Sequence, residues 1–243
     1  MVIYPVDCII QARVGSTRFP EKILKNISKD KTVLEFLLNQ LKFCKVINKI
    51  IIATTDLDED KIIVNFCKDN NIEYFTGDSS NVLKRYFECA KNFHSENILR
   101  ITSDCPLIDP NLIDRGIEIF SSGKYDYVTN SLEPSFPHGL DFQIFSFKTL
   151  EDVYTNALLE SEKEHVIPFI INNKEKFRIF NIKNDKNFYN FRVTLDWIED
   201  LELMQKIVSK IQTRPVLMND IINLLNENPE LTKINSKHMV NNT

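Results

Sequence analysis

Residues 12–22, ARVGSTRFPEK, put Arg13, Gly15, Ser16, Thr17, Arg18 and Lys22 into one short irregular stretch, directly after an apolar run that ends at Ile10. Glycine lets main-chain N–H groups approach an anion closely. Ser16 and Thr17 add hydroxyl donors. Arg13 and Lys22 add positive charge, and the planar guanidinium fork suits phosphate oxygens. The chemistry these residue types fit is the binding of a polyphosphate. The stretch is neither G-x-x-x-x-G-K-[ST] nor G-x-G-x-x-G, so it is not one of the common nucleotide loops. Read alone, a solvated loop with ordinary surface charges fits it equally well.

Two carboxylates stand at comparable positions. Asp104, in RITSDCPLID, falls just past a buried strand. A carboxylate there can hold Mg²⁺, which keeps several waters and bridges to substrate phosphates; a turn cap before Pro106 is the alternative. Asp196, in FRVTLDWIED, also follows a strand-like segment and precedes a helix. It could supply a second metal ligand, cap the helix, or do both. Asp200 reads as a solvated helix residue. Cys105 has no evident base near it in sequence and reads as a small buried filler rather than a nucleophile.

The elements around these residues alternate. Strand-like runs cover 7–12, 49–54, 72–75, 97–101 and 125–130, and amphipathic helices cover 32–44, 58–70, 80–93 and 109–120. Thr32 with Glu35 forms a capping box, and Asp109 followed by Pro110 is a helix start. Alternation of this kind predicts a largely parallel sheet covered on both faces, an α/β/α sandwich. Ligands in such sheets bind outside the carboxyl ends of the strands, which is where the 12–22 loop falls. The second half breaks the pattern. Residues 131–146 read as a loop with an extended tail. A helix containing Pro168 should break or kink, and strands are expected at 177–183 and 191–196. Helices follow at 198–212 and 215–227, and the last dozen residues are polar and expected to be mobile. The whole chain reads as one domain over 1–243, with 131–185 as an arm expected to protrude from the sheet.

The totals are those of a globular protein. The 243 residues are 43% hydrophobic and 26% charged with a net charge of −4, which gives no support to general nucleic-acid binding. Five scattered cysteines without a C-x-x-C pair read as reduced thiols of a cytosolic protein. The N-terminal run is interrupted by Pro5 and Asp7 and reads as a strand, not a leader, and no run approaches membrane-spanning length.

At this point the stretches become recognisable. QARVGSTRFPEK resembles the A-R-x-x-S-x-R-x-P-x-K loop of the 3-deoxy-manno-octulosonate and acylneuraminate cytidylyltransferases, IIATTD their second-strand segment, and DWIEDLE their D-T-P-E-D-L-E segment. GDSSNVLKRYFECA, RITSDCPLIDP, FPHGLDFQIFS, EKEHVIPFI and NDIINLLNENPEL are similar to the spore coat polysaccharide biosynthesis protein F (SpsF) branch, in order over about residues 8–235. The resemblance implies a Rossmann-like α/β/α sandwich of the nucleotide-diphospho-sugar transferase fold, with the arm serving dimerisation. It implies a cytidylyltransferase acting on CTP and a sugar-acid acceptor, with Mg²⁺ on Asp104 and Asp196. Arg13 and Lys22 would hold phosphates. Ala12, Gly15, Ser16 and Arg18 would line the same loop, and Thr54, Asp56 and Arg85 would lie near the nucleotide. His138, Gly139, Asp141, Gln143 and His165 would border the acceptor. The chain departs from the pattern twice: Thr55 is neutral where the family has its first acidic position, and His138 stands where arginine is expected in many relatives of this branch.

The implied reaction is displacement at the α-phosphorus of CTP with release of pyrophosphate. Two other classes stay open from the residues: a nucleotidyltransferase with a phosphorylated or sugar-phosphate acceptor, and a non-catalytic nucleotide-binding subunit. A sheet-based glycosyltransferase is disfavoured because S-D-C stands where D-x-D is usual.

Overall fold

The computed structural model describes residues 4–239. Its seven-stranded sheet has the order β3-β2-β1-β4-β6-β5-β7. The first four are β1 (Val6–Gln11), β2 (Ile47–Thr55), β3 (Glu73–Gly77) and β4 (Asn97–Thr102), all parallel to one another. Their carboxyl ends therefore share one edge. Between them run α1 (Val33–Leu41), α2 (Lys61–Asp69) and α3 (Val82–Asn92), and α4 (Pro110–Phe120) follows β4. The period of two along β1 decides what each helix covers: Cys8 and Ile10 enter one core cluster with α1 and α4, whereas Ile9 enters the other with α3.

The expected caps form. The Thr32 hydroxyl accepts from the Glu35 N–H at 3.3 Å while the Thr32 N–H donates to Glu35 Oε2 at 2.7 Å. Asp109 caps α4, accepting from the Asn111 N–H at 2.8 Å. The acidic residues 58–60 form a 3-10 turn ahead of α2 instead of its first turn.

The second half adds three strands to the same sheet. β6 (Gln143–Ser146) inserts antiparallel between β4 and β5 (Tyr127–Thr129), and β7 (Ile179–Asn181) adds parallel to β5 at the edge. A helix not anticipated from sequence, α5 (Phe147–Asn156), is capped by the Ser146 hydroxyl. The helix containing Pro168 breaks at Val166 into α6 (Glu160–His165) and α7 (Ile167–Asn172).

Residues 191–196 are not a strand. Their main-chain groups go to loops: His138 N–H donates to Phe191 O at 2.8 Å, Val193 N–H to His138 O at 2.7 Å, and Leu195 N–H to Asp104 O at 2.8 Å. The helices α8 (Ile198–Lys210) and α9 (Met218–Glu227) close the fold. The described part of the C-terminal dozen is docked, contrary to expectation: Asn235 is buried, and the His238 ring stacks on Trp197 at 4.7 Å. The cysteines Cys8, Cys44, Cys67, Cys89 and Cys105 are all free thiols. No helix among the described residues is long and apolar enough to cross a membrane.

Candidate active site

A cavity of about 460 Å³ opens at the carboxyl edge of β1 and β4. The loop after β1 lines it with Ala12, Arg13, Ser16, Arg18 and Lys22. Arg85, Asp104 and Asp196 complete the group of sequence-predicted residues that the fold brings to this one space.

The loop after β1 is held by a residue that the sequence reading passed over. Asp60 is fully buried and accepts from the Val14 N–H at 2.6 Å with one oxygen and from the Thr55 hydroxyl with the other. Thr55, the neutral residue at an expected acidic position, is thus the donor that orients Asp60. Gly15 is exposed and faces Glu59 rather than the cavity.

At the centre, Lys22 Nζ lies 3.1 Å from Asp104 Oδ2, 3.1 Å from Asp196 Oδ1 and 2.6 Å from the Leu195 carbonyl. The hydrogen bond from Leu195 N–H to Asp104 O lays the 191–196 segment against the loop after β4, which is how two carboxylates ninety-two residues apart come to share one ammonium. Arg18 adds a contact of 2.7 Å to Asp196 Oδ1. Burial opposes charge on Asp196, but Lys22, Arg192 and Arg18 outweigh it and hold its carboxyl below the ordinary carboxylate range.

Asp196 does not take the alternative role of helix cap, and Asp200, expected to be solvated, is buried instead. Asp200 is 1% exposed and accepts from the Asp196 and Trp197 N–H groups at 2.9 and 3.0 Å. Arg192, 5% exposed, donates to both Asp200 oxygens and to Asp196 Oδ2. A charged residue inside an apolar run, as in FRVTL, was the signal that could have marked Arg192.

Two carboxylates that share the Lys22 ammonium form a donor set that suits an oxygen-seeking divalent ion. Among the described residues no cluster of three or more His, Cys, Asp or Glu is arranged to hold a metal. A metal here would take two protein carboxylates and complete its shell with substrate oxygens and water, which is the habit of Mg²⁺.

The remaining predicted residues lie around the cavity rather than on its lining. Thr54 is buried at the end of β2 with an unpartnered hydroxyl, and Asp56 is exposed just beyond it. His138 Nδ1 lies 3.4 Å from Arg192 Nη1. Asp141 accepts from the Gly139 N–H at 3.2 Å, and burial raises its carboxyl above the ordinary range while His138 opposes the rise. Gly139 has φ 112°, and a Cβ there would meet Thr194 N and Val193 C at 2.5 Å, so only glycine fits. Gln143 lies on β6 and reaches Arg100, which lines the cavity. The side chain of His165 lies outside the described residues. Burial, with Asp104 and Asp141 nearby, pushes the Cys105 thiol well up, so it stays protonated and is no nucleophile.

Comparison with known proteins places these features in company. The cytidylyltransferase family's sequence profile matches residues 8–234. An uncharacterized protein of Methanocaldococcus jannaschii is 34% identical over 94% of this chain and 93% of its own. The spore coat polysaccharide biosynthesis protein SpsF of Bacillus subtilis is 31% identical over 91% of this chain and 94% of its own. A cytidylyltransferase structure from Leptospira borgpetersenii superposes with a TM-score of 0.89 at 32% identity, covering 98% of each chain.

Proposed function

The chain belongs to the cytidylyltransferase family, and on that premise we propose that it transfers CMP from CTP to a sugar acid, releasing pyrophosphate, for the synthesis of a surface polysaccharide or glycan. The observation that carries this reading is the meeting of Lys22 with Asp104 and Asp196 at the mouth of a loop rich in phosphate donors. The relationship to a spore coat polysaccharide biosynthesis protein supports the pathway class.

CTP enters with its triphosphate along the loop after β1. Arg13, Ser16 and Arg18 bind its oxygens, and main-chain N–H groups of the same loop add donors. Asp104 and Asp196 would hold Mg²⁺, which would supply charge neutralisation at the phosphoryl oxygens. Lys22 moves from the carboxylates to the departing phosphates, where charge accumulates. The acceptor hydroxyl oxygen forms a bond to the α-phosphorus. The bond from that phosphorus to the oxygen bridging to the β-phosphorus breaks, and pyrophosphate leaves with the electron pair. The hydroxyl proton passes to water. Thr54, Asp56 and Arg85 flank the nucleoside. His138, Gly139, Asp141 and Gln143 border the acceptor. The working form is a cytoplasmic homodimer with the 131–185 segment at its contact, a reading supported by the adjacent Leu158 and Leu159, 81% and 57% exposed.

The test is pyrophosphate release from each of the four nucleoside triphosphates with Mg²⁺, across sugar acids, sugar phosphates and other phosphorylated acceptors. CTP-specific, acceptor-dependent release that Asp104→Ala abolishes is expected. Release from another triphosphate, or release that survives loss of both carboxylates, would overturn the reading.

A further inference from the structure

Sheet order gives the cavity a direction. At the β3 side, Arg85 packs beside Gly77 and donates to the Asp78 carbonyl at 2.6 Å. The phosphate-donor loop follows β1, Asp104 follows β4, and β6 lies beyond β4. With the nucleoside at the β3 and β2 end, the acceptor falls at the β4 and β6 end. Of the two β4 residues that line the cavity there, Arg100 and Thr102, Arg100 carries the charge.

Arg100 sits within β4, in a run otherwise apolar, and is 6% exposed. Its Nη1 donates to Gln143 Oε1 at 2.6 Å and its Nη2 to Gln11 Oε1 at 2.9 Å. Both partners are neutral amides, one on each neighbouring strand. The Nε–H is buried with no partner. The guanidinium lies 5.5 Å from the centre of the Tyr86 ring. A buried guanidinium held by its two neighbouring strands, with no carboxylate hydrogen-bonded to it among the described residues, calls for an anion from outside. Two glutamine amides set its plane, as a site for a planar, bidentate group requires.

We propose that Arg100, oriented by Gln11 and Gln143, is the seat of the acceptor's carboxylate and so sets the preference for a sugar acid. This rests on the reading of the reaction given above. It makes Gln143 a positioning residue and Arg100 a specificity-determining one. Glu164 on α6 also lines the cavity and is the other candidate counter-charge.

The experiment is calorimetry on the protein saturated with α,β-methylene-CTP and Mg²⁺. N-acetylneuraminate, 3-deoxy-manno-octulosonate and glucose 1-phosphate are the titrants. Arg100→Met should weaken sugar-acid binding about 10- to 100-fold, the worth of a charged hydrogen bond, and Arg100→Lys should recover part of it. Gln143→Glu supplies an internal carboxylate in a side chain of the same shape, so it should cause a similar loss in a protein that folds normally. Affinity for the CTP analogue should stay within about threefold. The proposal is overturned if the analogue's affinity falls together with the sugar acid's, or if sugar-acid binding is unchanged. It also fails if only glucose 1-phosphate binds the unsubstituted protein, if none of the three does, or if Glu164→Gln reproduces the Arg100→Met loss. Sugar-acid binding that depends on Arg100 without any pyrophosphate release would sustain this proposal and defeat the proposed reaction. Undiminished turnover of a sugar acid by Arg100→Met would do the reverse.

Discussion

The Arg192 guanidinium grips the buried Asp200 carboxylate with two hydrogen bonds, Nε to Oδ1 and Nη2 to Oδ2, each 2.9 Å. The pair sits behind the site and not in it. Arg192 Nη2 also reaches Asp196 Oδ2 at 3.0 Å, and Asp200 accepts from the Asp196 main chain. Asp196 is therefore fixed from behind at its side chain and its backbone, which leaves Oδ1 turned toward Lys22 and Arg18.

Asp200→Ala should be the most damaging substitution outside the cavity. It strands Arg192 as a buried unpaired cation and removes the acceptor for two N–H groups and for Asn235 Nδ2. Breaking a buried pair from one side costs about 3–5 kcal/mol. Urea unfolding should show that loss, with Asp200→Asn milder because one oxygen still accepts. A loss under 1 kcal/mol would mean that Arg192 finds another partner.

Asp60 makes a different kind of link, from the start of α2 to the first loop. Asp60→Ala frees the Val14 N–H and the Thr55 hydroxyl in a buried place. The expected stability loss is about 1–3 kcal/mol. Because the loop carries Arg13, Ser16 and Arg18, affinity for CTP should fall about tenfold in protein that remains folded at the assay temperature. Calorimetric titration with CTP checks this, and unchanged affinity would show that the loop keeps its shape without the anchor.

Much of this was legible before any coordinates. β1, β2, β4, α1 and α4 follow from period and caps because their partners are local: Thr32 with Glu35, Asp109 with Asn111. The convergence of Lys22 with Asp104 and Asp196 was legible only as three candidates at strand ends. What stayed hidden is long-range pairing. Val193 and Leu195 alternate like a strand, yet their main-chain hydrogen bonds go to His138 and Asp104, which no local pattern encodes. Asp200 looks solvated by type, and only Arg192, folded back from eight residues earlier, makes its burial affordable. Arg100 and Arg192 share one overlooked signal, a charge inside a run that otherwise reads as core.

Lys22→Met separates the lysine's two roles. Without substrate, Lys22 is the cation between Asp104 and Asp196, so its removal leaves two carboxylates facing each other. The variant should be less stable than the parent without divalent ions and gain more in Tm from added Mg²⁺, reaching half its shift at a lower concentration. Turnover should still fall about 10²- to 10³-fold, since an electrostatic contact to the departing phosphates is lost. Equal Mg²⁺ responses in the two proteins would show that the carboxylates are not the metal site.

Asp141 gives a prediction with a defined sign. Burial, the largest influence, raises its carboxyl above the ordinary carboxylate range, with Asp104 adding to the rise and His138 and the Gly139 N–H opposing it. A group whose folded pKa is raised favours the folded state fully below its unfolded pKa. That advantage disappears as pH rises through the folded value. At pH 7 Asp141 therefore works against folding, and Asp141→Asn, whose amide oxygen can still accept from Gly139, removes that penalty. The variant should unfold at higher urea than the parent at pH 7, with the gap closing as the pH falls through the raised folded value toward the ordinary aspartate range of about 3.9. If Asp141 also borders the acceptor, the stabilised variant should show a raised acceptor KM with CTP affinity unchanged. A destabilised variant at pH 7 would mean that the ionised carboxylate is held by partners stronger than burial, and the assignment of its charge state would have to be reversed.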